Sequence, residues 1–163
     1  MSPSIRSALC PVAASSGTGG QSGPYLRPRP DEGLALSLTV PCAPRSAGIV
    51  RTAFRCALHA HGLDRYALPA TVAVTELIAT ATRLEGEEDL YLSLRHREDV
   101  LRLVVWDQHP RHSDPDAVAV CEQRRRRSLW LLAAVVGDWG GDWGVGDARP
   151  PHRGTKSWVV LPR

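Results

Sequence analysis

Apolar residues fall on alternate positions in three segments of this chain, and the longer stretches between them carry a helical period. Leu34, Leu36, Leu38 and Val40 alternate with small or polar residues, the pattern of a strand with one buried face. Pro41 and Pro44 end that run, because neither supplies an amide hydrogen to a ladder. Leu90, Leu92 and Leu94 alternate in the same way. After a turn at Glu98 and Asp99, the run from Leu101 to Trp106 alternates and then becomes continuously apolar. Two such runs across a short polar connection predict a hairpin with a buried second arm. A last apolar run at 157–161 predicts a closing strand.

Between these segments, Ile49, Ala53, Cys56, Ala57 and Ala60 recur at helical spacing over 45–61, with Gly62 as a stop. A second helix is predicted over 68–84, with Val72, Val74, Leu77, Ile78 and Ala81 in its period and Pro69 in its first turn. A third includes 128–136 and is predicted to end at Gly137. The tetrapeptide Gly-Asp-Trp-Gly then occurs at 137–140 and again at 141–144, and the second copy is read as entering a strand. The order β-α-α-β-β-α-β-β predicts an α+β fold: a two-layer α/β sandwich with a mixed, mainly antiparallel sheet and its helices on one face.

Composition narrows the picture. Residues 1–32 are rich in Ser, Gly and Pro, too poor in burial to offset the entropy of ordering, and are expected to form a disordered tail before one domain at 33–163. No apolar run is long enough to span a bilayer. The first residues lack the apolar core of a secretory signal. A cytoplasmic protein without membrane association is expected. The net charge of +3 is too small to imply a nucleic-acid partner. Arg124, Arg125, Arg126 and Arg127 form a basic run without interleaved aromatics, read as a solvated face. Cys10, Cys42, Cys56 and Cys121 form no Cys-x-x-Cys pair, which argues against zinc. They are expected to be free thiols, with Cys56 in a helix core. His59 and His61 are two residues apart and lie on different helix faces, which argues against joint metal binding.

Three places carry candidate chemistry. Glu76 and Thr80 stand at i and i+4, so they share a helix face. A carboxylate followed one turn later by a hydroxyl can hold a hydrated metal ion and a phosphate. Asp107 follows an apolar strand and is itself followed by Pro110. An acid leaving a buried strand can accept a hydrogen bond from an exocyclic amine such as that of adenine. Gly154, Thr155 and Lys156 lead into the last strand.

These sites, in this order, resemble the gyrase/histidine-kinase type ATPase superfamily with its Bergerat-type fold. Within it the chain is most similar to the small anti-sigma-factor serine kinases, in the stand-alone form abundant in actinobacteria. The similarity runs from Leu34 to the C-terminus and includes the Arg-bearing first helix and the pattern Trp143-Gly144-Val145, Gly154, Trp158. The resemblance implies that Glu76 is the catalytic base and that Thr80 stands where an asparagine binds Mg²⁺. It implies that Asp107 reads adenine, with Pro110 beside it. A Gly-x-Gly-Leu lid, aligned on Leu129, places Arg126 and Ser128 at its glycine positions. Arg127 and Ser128 then become the phosphate contacts of that segment. At the last site Gly154 is followed by Thr155, the nearest hydroxyl, and by Lys156, which matches the strict spacing from Trp158. Either can touch a phosphate.

The resemblance further implies ATP and Mg²⁺ as cofactors, and transfer of the γ-phosphate to a serine of an antagonist protein. A sigma factor, an anti-anti-sigma antagonist and a second copy of the chain are the implied partners. The alternative is a catalytically degenerate member that binds a protein partner without phosphotransfer. Thr80 in place of asparagine, Leu84 where histidine is common, and the absence of glycine from 126–128 motivate it.

Overall fold

The alternating runs pair as a five-stranded sheet in the computed structural model, which describes residues 33–84, 88–109, 112–148 and 154–163. The expected tail at 1–32 and Pro110 lie outside the described residues. Strand β1 (Ala35–Pro41) pairs with β2 (Asp89–Arg97), and β2 with β3 (Val100–Asp107). Strand β5 (Thr155–Leu161) lies between β3 and β4 (Asp142–Asp147), giving the order β1-β2-β3-β5-β4. All four pairings are antiparallel, where a mixed sheet was expected.

The pleat sorts the strand residues. Leu90, Leu92, Leu94, Leu101, Leu103, Val105, Val159 and Leu161 are each at most 1% exposed and join the core beneath the helices. Tyr91, Arg95, Arg102 and Lys156 occupy the alternate, exposed positions. The result is an α+β fold in two layers, with the core between sheet and helices.

The hairpin between β2 and β3 turns at Glu98 and Asp99, with φ of 51° and 59°. Two left-handed residues in succession match the right-handed twist of the strands. The buried Tyr66 hydroxyl donates to the Asp99 carbonyl at 3.0 Å, and Arg163 reaches the Asp99 carboxylate at 3.3 Å. Tertiary contacts thus hold a turn that lacks the usual glycine.

Helix α1 (Ser46–Ala60) buries Ser46, Ala47, Val50, Phe54 and Leu58. The expected inward stripe was therefore wrong by about one position: Ile49 is 57% exposed, and Cys56 lies on the surface and not in a core. Side-chain volume decides between two stripes of equal period. Phe54, Leu58 and Val50 remove more apolar area from water than Ala53, Cys56 and Ala60, at about 25 cal/mol per Å². Gly62, at φ 67°, and a 3₁₀ turn at Asp64–Tyr66 reverse the chain into helix α2 (Ala67–Leu84), which buries Ala73, Val74, Leu77, Ile78 and Ala81.

The third expected helix is present at Trp130–Asp138, and a helix that was not expected precedes it. Helix α3 (Pro115–Ser128) starts behind Asp114, whose carboxylate accepts from the Asp116 amide at 3.1 Å, with Pro115 at the first helical position. The chain bends at Leu129 into helix α4 (Trp130–Asp138). Gly137 lies inside α4, and the stop is Gly140 at φ 63°. The first Gly-Asp-Trp-Gly thus finishes a helix and the second opens β4. Among the described residues no helix is long and apolar enough to cross a membrane.

At the hairpin end of the molecule, His96 packs its ring 5.6 Å from that of Tyr66, and its Nε2 is sealed from solvent without a partner among the described residues. Burial lowers its pKa below the ordinary 6.5; Asp99 opposes the shift, while Arg65 and His61 add to it. A histidine held neutral in the fold takes its proton more readily when unfolded. Stability is then full above pH 6.5 and declines as pH falls through that value toward the lower folded pKa. The melting temperature is expected to drop over that window, and His96→Phe is expected to flatten the drop.

Candidate functional site

Asp107 is the last residue of β3, and the register places it opposite Thr155, which in turn lies opposite Asp147. These three residues form one cross-strand row on the helix-covered side of the sheet. Gly154 makes the row possible. Its φ is 102°, and a side chain there would strike the Asp107 carbonyl and the Gln108 backbone. The Gly154 carbonyl accepts from the Ala148 amide at 2.9 Å, which ties the end of β4 to the start of β5.

Helix α3 closes over this row. Cys121, Arg125 and Leu129 recur every four residues and form its inner stripe. Leu129 is fully buried in the core and anchors the stripe. Arg125 follows it inward and is 3% exposed. Its Nη1 donates to Asp107 Oδ2 at 2.6 Å and its Nη2 to Oδ1 at 3.4 Å, with the two side chains 4% and 2% exposed. The His109 amide also donates to Asp107 Oδ1, at 3.2 Å. Both carboxylate oxygens are thus occupied. Oδ1 accepts two hydrogen bonds and Oδ2 one; the lone pair left on Oδ2 is covered by the buried Arg125 guanidinium, so an exocyclic amine reaches this acid only if Arg125 moves.

A cleft of about 450 Å³ opens beside the pair, lined in part by His109, Cys121, Arg125, Val145, Asp147 and Thr155. It is large enough for a small ligand. Thr155 lies in this cleft, whereas Lys156 is on the opposite face of the sheet, in a second hollow with Tyr91, Ser93 and Trp106. The fold therefore separates the two residues that sequence spacing left as equals.

The remaining expected site residues lie elsewhere. Glu76 is half-buried on α2 and makes no hydrogen bond or ion pair among the described residues. Thr80 is 1% exposed, and its hydroxyl accepts from Arg83 Nη2 at 3.2 Å. A guanidinium at that oxygen opposes a second cation there. Neither Glu76 nor Thr80 lines the cleft beside Asp107. Arg127 is exposed, and the Ser128 hydroxyl donates to the Arg124 carbonyl at 3.0 Å within the helix. Arg126 pairs with Glu122 at 3.0 Å, one turn away. The basic run is thus a solvated face except at Arg125, the residue that sequence reasoning missed. The signal was present in the four-residue spacing that carries Arg125 into register with Leu129.

Comparison of the chain with protein-family models gave no match, and comparison with curated proteins gave none.

Proposed function

We propose that the chain is a regulatory protein built on the Bergerat-type ATPase architecture, which acts by binding a protein partner and does not transfer phosphate. The observation that carries this reading is Arg125, buried against Asp107 where a purine amine would have to bond. Two further features support it. The Arg83 guanidinium stands at the hydroxyl of Thr80, the would-be Mg²⁺ ligand. The lid segment is a helix whose Ser128 hydroxyl bonds its own backbone and not a phosphate. The order of helices and strands is compatible with that architecture. The partner, by the resemblance, is a sigma factor or its antagonist in the cytoplasm.

A second reading keeps ATP. It is favoured by Thr155, which lines the cleft and lies opposite Asp107 in the sheet, and by Arg125, which lines the cleft and covers that acid. In that case Arg125 is a latch that a nucleotide displaces. Calorimetry with Mg-ATP separates the readings. On the first, the wild type gives no saturable heat at millimolar nucleotide, and labelled ATP leaves no phosphate on a co-purified antagonist. On the second, Arg125→Gln tightens ATP binding at least about tenfold by removing a competitor worth about 1.4 kcal/mol or more. Asp107→Asn then abolishes that gain. Phosphorylated antagonist that disappears with Glu76→Ala would overturn the first reading.

A further inference from the structure

The strongest unassigned chemistry in the molecule is a convergence of three side chains at the mouth of the cleft. His109 lies two residues past β3, His112 lies in the loop before α3, and Cys121 sits midway along α3. The Nε2 atoms of the two histidines are 3.1 Å apart, and the Cys121 Sγ is 3.1 Å from His109 Nε2. All three donor atoms lie within 4.8 Å of one another. In a tetrahedral zinc site, bond lengths of about 2.0 Å to nitrogen and 2.3 Å to sulfur place two nitrogens about 3.3 Å apart, and nitrogen and sulfur about 3.6 Å apart. The two 3.1 Å spacings are a few tenths of an ångström shorter than these and the third is within 4.8 Å, so small side-chain rotations bring the three donors around an ion.

Hydrogen bonding alone does not satisfy this arrangement. A neutral imidazole Nε2 carries either one proton or one lone pair. His109 Nε2 faces both a second imidazole nitrogen and a sulfur, so it serves at most one of them well. A cation placed among the three accepts a lone pair from each. The donor set of two imidazoles and a thiolate suits zinc and excludes the hard cations magnesium and calcium.

We propose that His109, His112 and Cys121 bind one zinc-class divalent cation, and that the ion ties helix α3 to the exit of β3. In the bound state each imidazole proton resides on Nδ1, leaving a lone pair on each Nε2, and the Cys121 thiol proton is released to solvent, so the ligands are two neutral imidazoles and one thiolate. The three side chains also line the cleft, together with Glu122, so the fourth position of the ion is open to water or to that carboxylate. Cys121 and Arg125 are one turn apart on α3, and the His109 amide donates to Asp107. The ion therefore fixes the two elements that carry the Arg125–Asp107 pair. The chain has no Cys-x-x-Cys pair, the spacing that argued against zinc. The His-x-x-His spacing with a cysteine on the following helix was the usable signal.

The test uses the full chain, stripped with a chelator and titrated with Co²⁺ and then Zn²⁺. About one equivalent of cobalt is expected to give a thiolate charge-transfer band and the intense d–d bands of a tetrahedral site, both lost as zinc displaces it. Cys121→Ser is expected to remove the charge-transfer band. His109→Ala and His112→Ala, each deleting a direct ligand, should weaken zinc binding by more than the roughly 10–100-fold typical of losing a ligand's hydrogen-bond partner. Cys56→Ser should change nothing. Saturating zinc should also protect Cys121 of the wild type from alkylation, a readout that needs no variant. A cobalt spectrum without the thiolate band, a Cys121→Ser protein that retains it, or unchanged alkylation of Cys121 under zinc would overturn the site.

Discussion

Arg125→Gln is expected to lower the unfolding free energy by about 3–5 kcal/mol, a large effect for a residue in a run of surface arginines. The Asp107 carboxylate is 2% exposed, and the guanidinium is its only countercharge among the described residues. Without it, a buried anion keeps one amide donor from His109 and loses its compensating charge. Asp107→Asn should cost a similar amount by leaving the guanidinium unpaired. The double variant is expected to lie within about 1–2 kcal/mol of wild type, because two neutral amides can bond each other and the desolvation penalty on both charges disappears. Urea unfolding of the four proteins gives the coupling directly. High salt should not narrow the gap, since buried pairs are poorly screened. Arg126→Ala is the control. Its pair with Glu122 is half-exposed, and such helix pairs contribute about 0.3–0.5 kcal/mol. A loss below about 1 kcal/mol for Arg125→Gln would mean that the guanidinium is not locked on the acid, which would favour the latch reading of the cleft.

This expectation also marks how far the sequence could be read. The strands were legible because Leu90, Leu92, Leu94, Leu101 and Leu103 alternate cleanly, and one buried face permits one register. Asp107 was legible as an acid at a strand exit. Its partner was not, because four consecutive arginines look alike in composition, and only the helical phase set by Leu129 distinguishes Arg125. Helix α3 was missed for a related reason. Its sequence has no apolar stripe of its own, and its start was signalled only by Asp114 and Pro115. On α1, two stripes had the same period, and the choice lay in side-chain size. The approach of His109, His112 and Cys121 was only partly legible, in the His-x-x-His spacing, because its members come from a strand exit, a loop and a helix. Such convergence is a property of tertiary structure.

Gly154→Ala is expected to cost about 2–6 kcal/mol, and its mechanism joins the fold to the cleft. Two penalties add. A φ of 102° is strained for any side chain, at about 1–3 kcal/mol. The new methyl also strikes the Asp107 carbonyl and stands 2.8 Å from the Gln108 Cα. These are backbone atoms at the β3 exit, which cannot swing aside as a side chain would. Overpacking of this kind costs a further 1–3 kcal/mol or so. Relief requires β5 to part from β3 at the pairing of Asp107 with Thr155, and that movement weakens the bond from the Ala148 amide to the Gly154 carbonyl. The variant should therefore lose amide protection first at the start of β5 and the end of β4, before global unfolding. Gly137→Ala provides the contrast. That glycine lies in α4 with ordinary helical φ and nothing within 4 Å of an added methyl, so the change should stabilise by about 0.5–1 kcal/mol through the unfolded chain. Equal changes at the two positions would show that the close approach to β3 does not govern Gly154. Opposite signs would locate the constraint at the strand exit that carries Asp107.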